Sequence, residues 1–481
     1  MRFNRPKDRA QWSPMPQTVS LPHEVSDRLN NADSSPAPPK VDRAATRPAR
    51  FVTGSIMRHV AVMAGTGAIG MMAVFAVDLL NFYYISHLRD PALTAAIGFA
   101  TAISYVQLSV CIGMMIGLGA VTGRLIGACR SIRARHLASG FLVVMLSASA
   151  ILGILTALLA PELLEALGAT GEARSQATGF LHIIAPALPL TCLGMAQSAL
   201  LRAGGDARRA MQVTLVGAMI SAILDPVMIF GLHLGLTGAA ISTIISRSAV
   251  VVAGFLSVRE HRMIEWPRLW AIAPATRQIG KVALPAIATN LATPLGTVFV
   301  THFMSQFGLD AISGQATIDR IVPVAFALVF ALTGSVGPIM SQNLGAGQVH
   351  RVREALVSAL KLTALCVAIT WFLLALFHQE IVHIFGLRGI GADIVTLFCE
   401  WLVASYFFVG LLFVANTAFN NLGHAFYAPG CNWGRATLGT IPFVWIGAHY
   451  GPIGILYGQS LGVVIFGTAA VLVAFRVIRA L

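Results

Sequence analysis

The sequence predicts an all-α polytopic membrane protein: twelve transmembrane helices in two six-helix lobes, related by a pseudo-two-fold axis along the membrane normal. Three observations predict it. Of 481 residues, 56% are hydrophobic and only 11% charged, whereas a soluble chain carries charge on about a quarter of its residues. The apolar residues gather into twelve runs, each near the roughly 20 residues that a helix needs to cross a bilayer. Landmark residues also recur at one nearly constant spacing through the two halves.

Residues 1 to 55 come first and differ from the rest. They scatter Arg and Lys among Pro36, Pro38, Pro39 and Pro48, with almost no apolar periodicity. Such a composition buries too little to order itself, so a disordered, basic, cytoplasmic tail resting on anionic lipid is expected. No apolar segment follows the basic start, so no cleaved secretory signal is expected.

The apolar runs follow at 57 to 85, 92 to 118, 137 to 160, 176 to 201, 211 to 232, 236 to 258, 281 to 305, 310 to 338, 357 to 377, 392 to 420, 432 to 449 and 453 to 475. With the N-terminus inside, sixteen Arg and Lys fall in the inner loops and at the C-terminus, from Arg124 to Arg479. Only Arg89, Arg174 and Arg388 fall outside. This asymmetry follows the positive-inside rule. The net charge of +13 therefore orients the chain in a plasma (inner) membrane with both termini cytoplasmic, and no nucleic-acid partner is expected. The organisation read from these runs is a lobe over 56–260, a cytoplasmic linker over 261–281 and a second lobe over 282–481.

The repeat links the lobes. Gly127-Ala128 past the second run matches Gly345-Ala346 past the eighth, at a spacing of 218 residues; Gly204 matches Gly423 at 219, and Pro226 matches Pro442 at 216. Six spans per copy give both copies one orientation, the architecture in which transporters rock two halves about a central cleft.

Ionisable groups at membrane depth cost about 2.5 to 3.5 kcal/mol each on insertion scales, so each needs a reason. Asp78 in the first span aligns with Thr297 of the second copy, and Asp225 in the fifth aligns with Ile441. One lobe thus holds two acids that the other lacks. Ser221 lies one turn before Asp225 on the same face. Pro226 frees the carbonyl of Ala222, and Thr243 in the sixth span lies at similar depth with a hydroxyl to offer. Asp78, Asp225, Thr243 and Ser221 are therefore the candidate coupling residues. Asn81, Phe180, Asp319, Arg320 and Glu400 are candidates for a substrate site or a polar site in the second lobe. Arg247, His182 and His302 read as packing residues or helix-end anchors.

Other signals carry less. Gly65-Thr66-Gly67-Ala68-Ile69-Gly70 fits GxGxxG but stands inside a spanning segment with no preceding strand, so it reads as close helix packing. Six cysteines show neither CxxC nor metal-ligand spacing. No P-loop or HExxH occurs, so no metal or other cofactor and no enzymatic activity are expected.

At Leu201-Arg202-Ala203-Gly204-Gly205-Asp206, Leu224-Asp225-Pro226, Gly238-Ala239-Ala240-Ile241-Ser242-Thr243, Val77-Asp78 and Gln342-Asn343-Leu344-Gly345-Ala346-Gly347, the chain resembles the multidrug and toxic compound extrusion (MATE) family. The resemblance covers residues 55 to 475. It implies cation-coupled export of organic, often cationic and amphipathic, small molecules, with Asp78, Asp225 and Thr243 on family positions for coupling in the first lobe. Many members carry Asn at the position of Ser221 and Tyr at that of Phe180. The sodium-dependent branch has acids where this chain has Thr293 and Leu411, so the resemblance favours the branch of DNA-damage-inducible protein F, and a proton over sodium. A monomer is expected. The alternatives are a flippase of lipid-linked precursors and, from another class, an intramembrane transferase.

Overall fold

The computed structural model describes residues 49–86 and 91–481. Most of the expected tail, and Arg89, lie outside the described residues. What is described is helical with no strand, and its apolar segments cross back and forth as the sequence predicts. Ten are single apolar stretches long enough to span: Ile56–Asn81, Ala95–Gly127, Ser131–Leu158, Gly171–Ala203, Ala207–Gly231, Gly235–Glu260, Leu269–Ser305, Val349–Leu376, Leu402–Leu422 and Gly451–Arg479. The eighth span is a pair, Leu309–Ala325 and Ala327–Gly345, bent by 47° just after Pro323.

Breaks fall where proline or glycine withdraws a backbone donor or a side chain. The fourth span passes through a 3₁₀ turn at Ala185–Ala187, which contains Pro186 and is followed by Pro189. The fifth is α-helical to Pro226 and widens into a π turn at Val227–Gly231. The eleventh was expected as one helix over 432 to 449. It is instead two short helices, Tyr427–Ala436 and Ile441–Ala448, with Gly439 in the gap and Pro442 in the first turn of the second. The seventh helix begins at Leu269, inside the stretch expected to be linker.

The basic ends of the spans and the opposite ends pack differently. At the basic end, Phe51, Ile56, Val60, Met63 and Ala64 of the first span and its approach sit in a cluster with residues of the eighth, ninth, tenth and twelfth. Reciprocally, Ala275, Ile279, Val282 and Ala283 of the seventh sit among residues of the second to sixth. At the opposite end one cluster draws only on residues from 300 onward and another only on residues up to 239. The lobes are joined at the basic end and separate toward the other.

Two glycines of the repeat make that junction possible. A side chain at Gly127 would strike the Gln342 carbonyl, and one at Gly345 would strike the Arg124 carbonyl. The landmarks recur because each lobe lays a bare backbone against its partner.

The end of the expected tail takes part as well. Phe51 is 2% exposed. Its N–H donates to Gln342 Oε1 at 3.0 Å, its carbonyl accepts from Asn343 and Arg351, and Gln342 Nε2 donates onward to the Ala203 carbonyl at 2.7 Å. Composition predicts disorder to residue 55, but buried amides of the eighth span capture the backbone from Phe51 onward.

Candidate functional site

Among the described residues of the first lobe, Asp225 is the most enclosed acid, at 1% exposure. The fifth span places it one residue before Pro226, where the regular helix gives way to the π turn, a distortion common at functional positions. Its Oδ1 accepts from Ser242 at 2.5 Å. The Asn81 amide lies against the same carboxylate, yet Asp225 Oδ2 and Asn81 Oδ1 are both buried without a hydrogen-bond partner. Ser221 is buried one turn away.

The hydroxyl on the sixth span is not the expected one. Thr243 donates to its own helix at the Ala239 carbonyl, 2.8 Å away, while Ser242 faces the acid. One residue is 100° of turn on a helix, so the two hydroxyls point to different neighbours.

Asp78 stands in the first span, exposed where the lobes part. Arg247 of the sixth span and Asp225 lie within its electrostatic reach. Arg247 therefore belongs to the acid pocket, although the sequence reading assigned it to packing. Its signal was present in the sequence, since an arginine at membrane depth calls for a partner.

Tyr105 of the second span, 58% exposed, lies within reach of both Asp78 and Asp319. It brings the acids of the two lobes onto one cleft. Asp319, in the eighth span, accepts from Gln315 at 3.0 Å. Tyr406 of the tenth span is stacked on Phe326 with ring centroids 4.5 Å apart, and lies within reach of both Asp319 and Arg435. The Arg435 Nε is buried without a hydrogen-bond partner, and no ion pair of the described residues includes this guanidinium. Tyr105, Ser242, Tyr406 and Arg435 escaped the sequence reading because a lone tyrosine or serine in an apolar helix reads as packing, and proximity across lobes has no local signature.

Three other candidates remain. Arg320 is exposed beside Asp319. Phe180 packs into the apolar cluster at the far end of the first lobe. Glu400 pairs with His378 at 3.5 Å, and its carbonyl accepts from Trp371 at 2.6 Å, so its contacts run to the ninth span. Among the described residues no group of His, Cys, Asp and Glu is arranged to hold a metal.

Two duplicated helical lobes, joined at one end around a cleft lined by acids, define a membrane transporter rather than an enzyme. The MatE family model matches residues 68–227 and 285–446, once per lobe. The chain belongs to that family, the MATE efflux transporters. It is 27% identical over 417 residues to the FAD transporter of Shewanella oneidensis, covering 85% of this chain and 92% of that one. It is 25% identical to the multidrug export protein MepA of Staphylococcus haemolyticus, covering 63% of this chain and 68% of the relative. A crystal structure of a mutant of the Vibrio cholerae MATE transporter VcmN superposes with a TM-score of 0.85 at 24% identity, over 89% of this chain and 98% of that one.

Proposed function

We propose that the protein is a monomeric antiporter of the plasma (inner) membrane that exports organic, often cationic and amphipathic, compounds in exchange for protons. In this reading the basic ends face the cytoplasm, and the lobes rock about the junction they form there. The observation that carries the reading is the half-satisfied carboxylate of Asp225. Ser242 holds one oxygen, while the other is buried without a hydrogen-bond partner and is left to take up a proton within electrostatic reach of Asp78.

Protons arriving from outside neutralise Asp225 and Asp78. That weakens the hold of Asp78 on Arg247 and on a bound cation, and lets the first span repack as cargo leaves. Closure to the outside and release of the protons inside reset the cycle. If one net charge crosses per cycle, 100 mV supplies about 2.3 kcal/mol, roughly a fortyfold gradient. One-for-one exchange of a proton for a monovalent cation leaves only the pH gradient as driving force.

Sodium is the competing ion. Asp225 Oδ2 and Asn81 Oδ1 are hard oxygen ligands of the kind such ions use, while Thr293 and Leu411, where the sodium-dependent branch has acids, support the proton. For the cargo, Arg435 favours a second reading, a phosphate-bearing flavin. Its guanidinium has no described carboxylate partner, and the Shewanella oneidensis relative is named for FAD.

Proteoliposomes with separately imposed proton and sodium gradients test these readings together, scored against organic cations, FAD and one lipid-linked precursor. Proton-driven transport of organic cations is the expected result. Transport that follows only the sodium gradient, or only the lipid precursor, would overturn it.

A further inference from the structure

Beside the junction at the basic end lies a pocket of about 620 Å³ lined by Arg124 of the second span, Gln278 and Lys281 of the seventh, and Phe426 in the turn after the tenth. Val121, Leu125 and Val282 complete an apolar wall. A water occupies about 30 Å³ of liquid, so the space suits a group much larger than a few waters.

Its charge is one-sided. Two cations, one from each lobe, line the same cavity, and no carboxylate lines it. Neither Arg124 nor Lys281 has an ion-pair partner among the described residues. The end of the tenth span at Gly423 supplies at most about half a negative charge through its terminal carbonyls, leaving a surplus above one unit. A second basic pocket on this side, around His350, Arg353 and Lys361, contains Glu354, which offsets one of its two full charges. Phe426 is 76% exposed, an apolar surface beside two cations.

We propose that this pocket binds a phosphate group, held between Arg124 and Lys281 with Gln278 as a further donor, and that the occupant joins the two lobes at their closed end. Arg124 supplies a planar fork suited to two phosphate oxygens, and Lys281 a point charge. The apolar wall suits the first carbons of a phospholipid acyl chain, and basic pockets between helices on the inner side of membranes hold anionic headgroups. Because the walls come from both lobes, an occupant binds the joined state better than a parted one and shifts the equilibrium toward it. The site is independent of which ion couples transport.

The test follows thermal unfolding and native mass spectra of purified wild type, Lys281→Gln, Lys281→Arg and Arg124→Gln, each titrated with phosphatidylglycerol, phosphatidylcholine or inorganic phosphate. Lys281 is exposed, so its variants should fold even if Arg124→Gln does not. Phosphatidylglycerol should raise the wild-type midpoint and remain bound, and phosphatidylcholine should do neither. Lys281→Gln should weaken the effect roughly tenfold, the loss of one charge-assisted contact, while Lys281→Arg retains it. Protection by inorganic phosphate that is lost in Lys281→Gln supports the same site with free phosphate as its occupant. Absence of protection by either compound, or equal protection of Lys281→Gln, overturns the proposal.

Discussion

At the basic end each hydrophobic cluster takes in residues of both lobes, whereas at the opposite end each cluster stays inside one lobe. Hydrogen bonds between the lobes, among them those from Phe51 to Gln342, from Gln342 to Ala203 and from Ser335 to Met63, follow the same division. One end is therefore built to hold and the other to part. The acids of the first lobe lie on the parting side: Asp78 comes 22 residues after the first helix begins at its basic end, and Asp225 comes 18 residues after the start of the fifth. A change of charge there acts on the half of the molecule that has least to break.

The largest expected effect comes from removing the charge on the parting side. Asp225→Asn keeps the hydrogen bond from Ser242 but cannot take up a proton. In proteoliposomes the roughly fortyfold gradient sustained per 100 mV by one net charge should fall to unity. Asp78→Asn should do the same while the purified protein remains folded. Full transport in either variant would separate the acids from coupling.

Next comes the joined end. Gln342 is fully buried and ties Phe51 to Ala203. Gln342→Ala leaves buried groups unpaired, which costs about 1–3 kcal/mol each. The thermal midpoint should fall, and a cysteine probe at the basic end should react faster than in wild type. An unchanged midpoint and unchanged reactivity would mean that the apolar clusters alone hold this end.

A smaller effect separates the neighbouring hydroxyls. Ser242→Ala removes one hydrogen bond to a charged group, about 1.5–3 kcal/mol, and should slow proton-coupled efflux at least tenfold. Thr243→Ala should change it by less than about twofold, since its hydroxyl bonds only its own helix. The reverse order would restore the expectation drawn from the sequence.

The smallest is a pH effect outside the membrane. Asp206 caps the fifth span. Burial pushes its carboxyl up, but the Arg209 N–H, His261 and the Arg209 charge outweigh this and hold it below its ordinary value of 3.8. An acid held low when folded adds stability above its ordinary value and loses it as pH falls further. Asp206→Asn should therefore lower the midpoint at pH 7, and the difference from wild type should close only below about pH 4.

Much of this architecture was legible in the sequence, because a bilayer demands long apolar runs and a duplication leaves its glycines in register. Asp78 and Asp225 were legible for the same reason, since a carboxylate among leucines needs a cause. The break in the eleventh span was not, because Gly439 and Pro442 sit among residues apolar enough to carry one helix through. Ser242 and Thr243 differ by a single step, a distinction that depends on helix rotation. The placement of Tyr105 depends on how two lobes approach each other, and that of Phe51 on polar partners almost 300 residues away; no local pattern encodes either.

The proposed coupling is tested most directly by distances between spin labels at Leu167 and Ile384, near the far ends of the two lobes, measured by electron–electron resonance at neutral and acidic pH. The proposal predicts a distance distribution that shifts with pH in wild type and is fixed in Asp225→Asn. A distribution that ignores pH in wild type, or shifts equally in the variant, would contradict it.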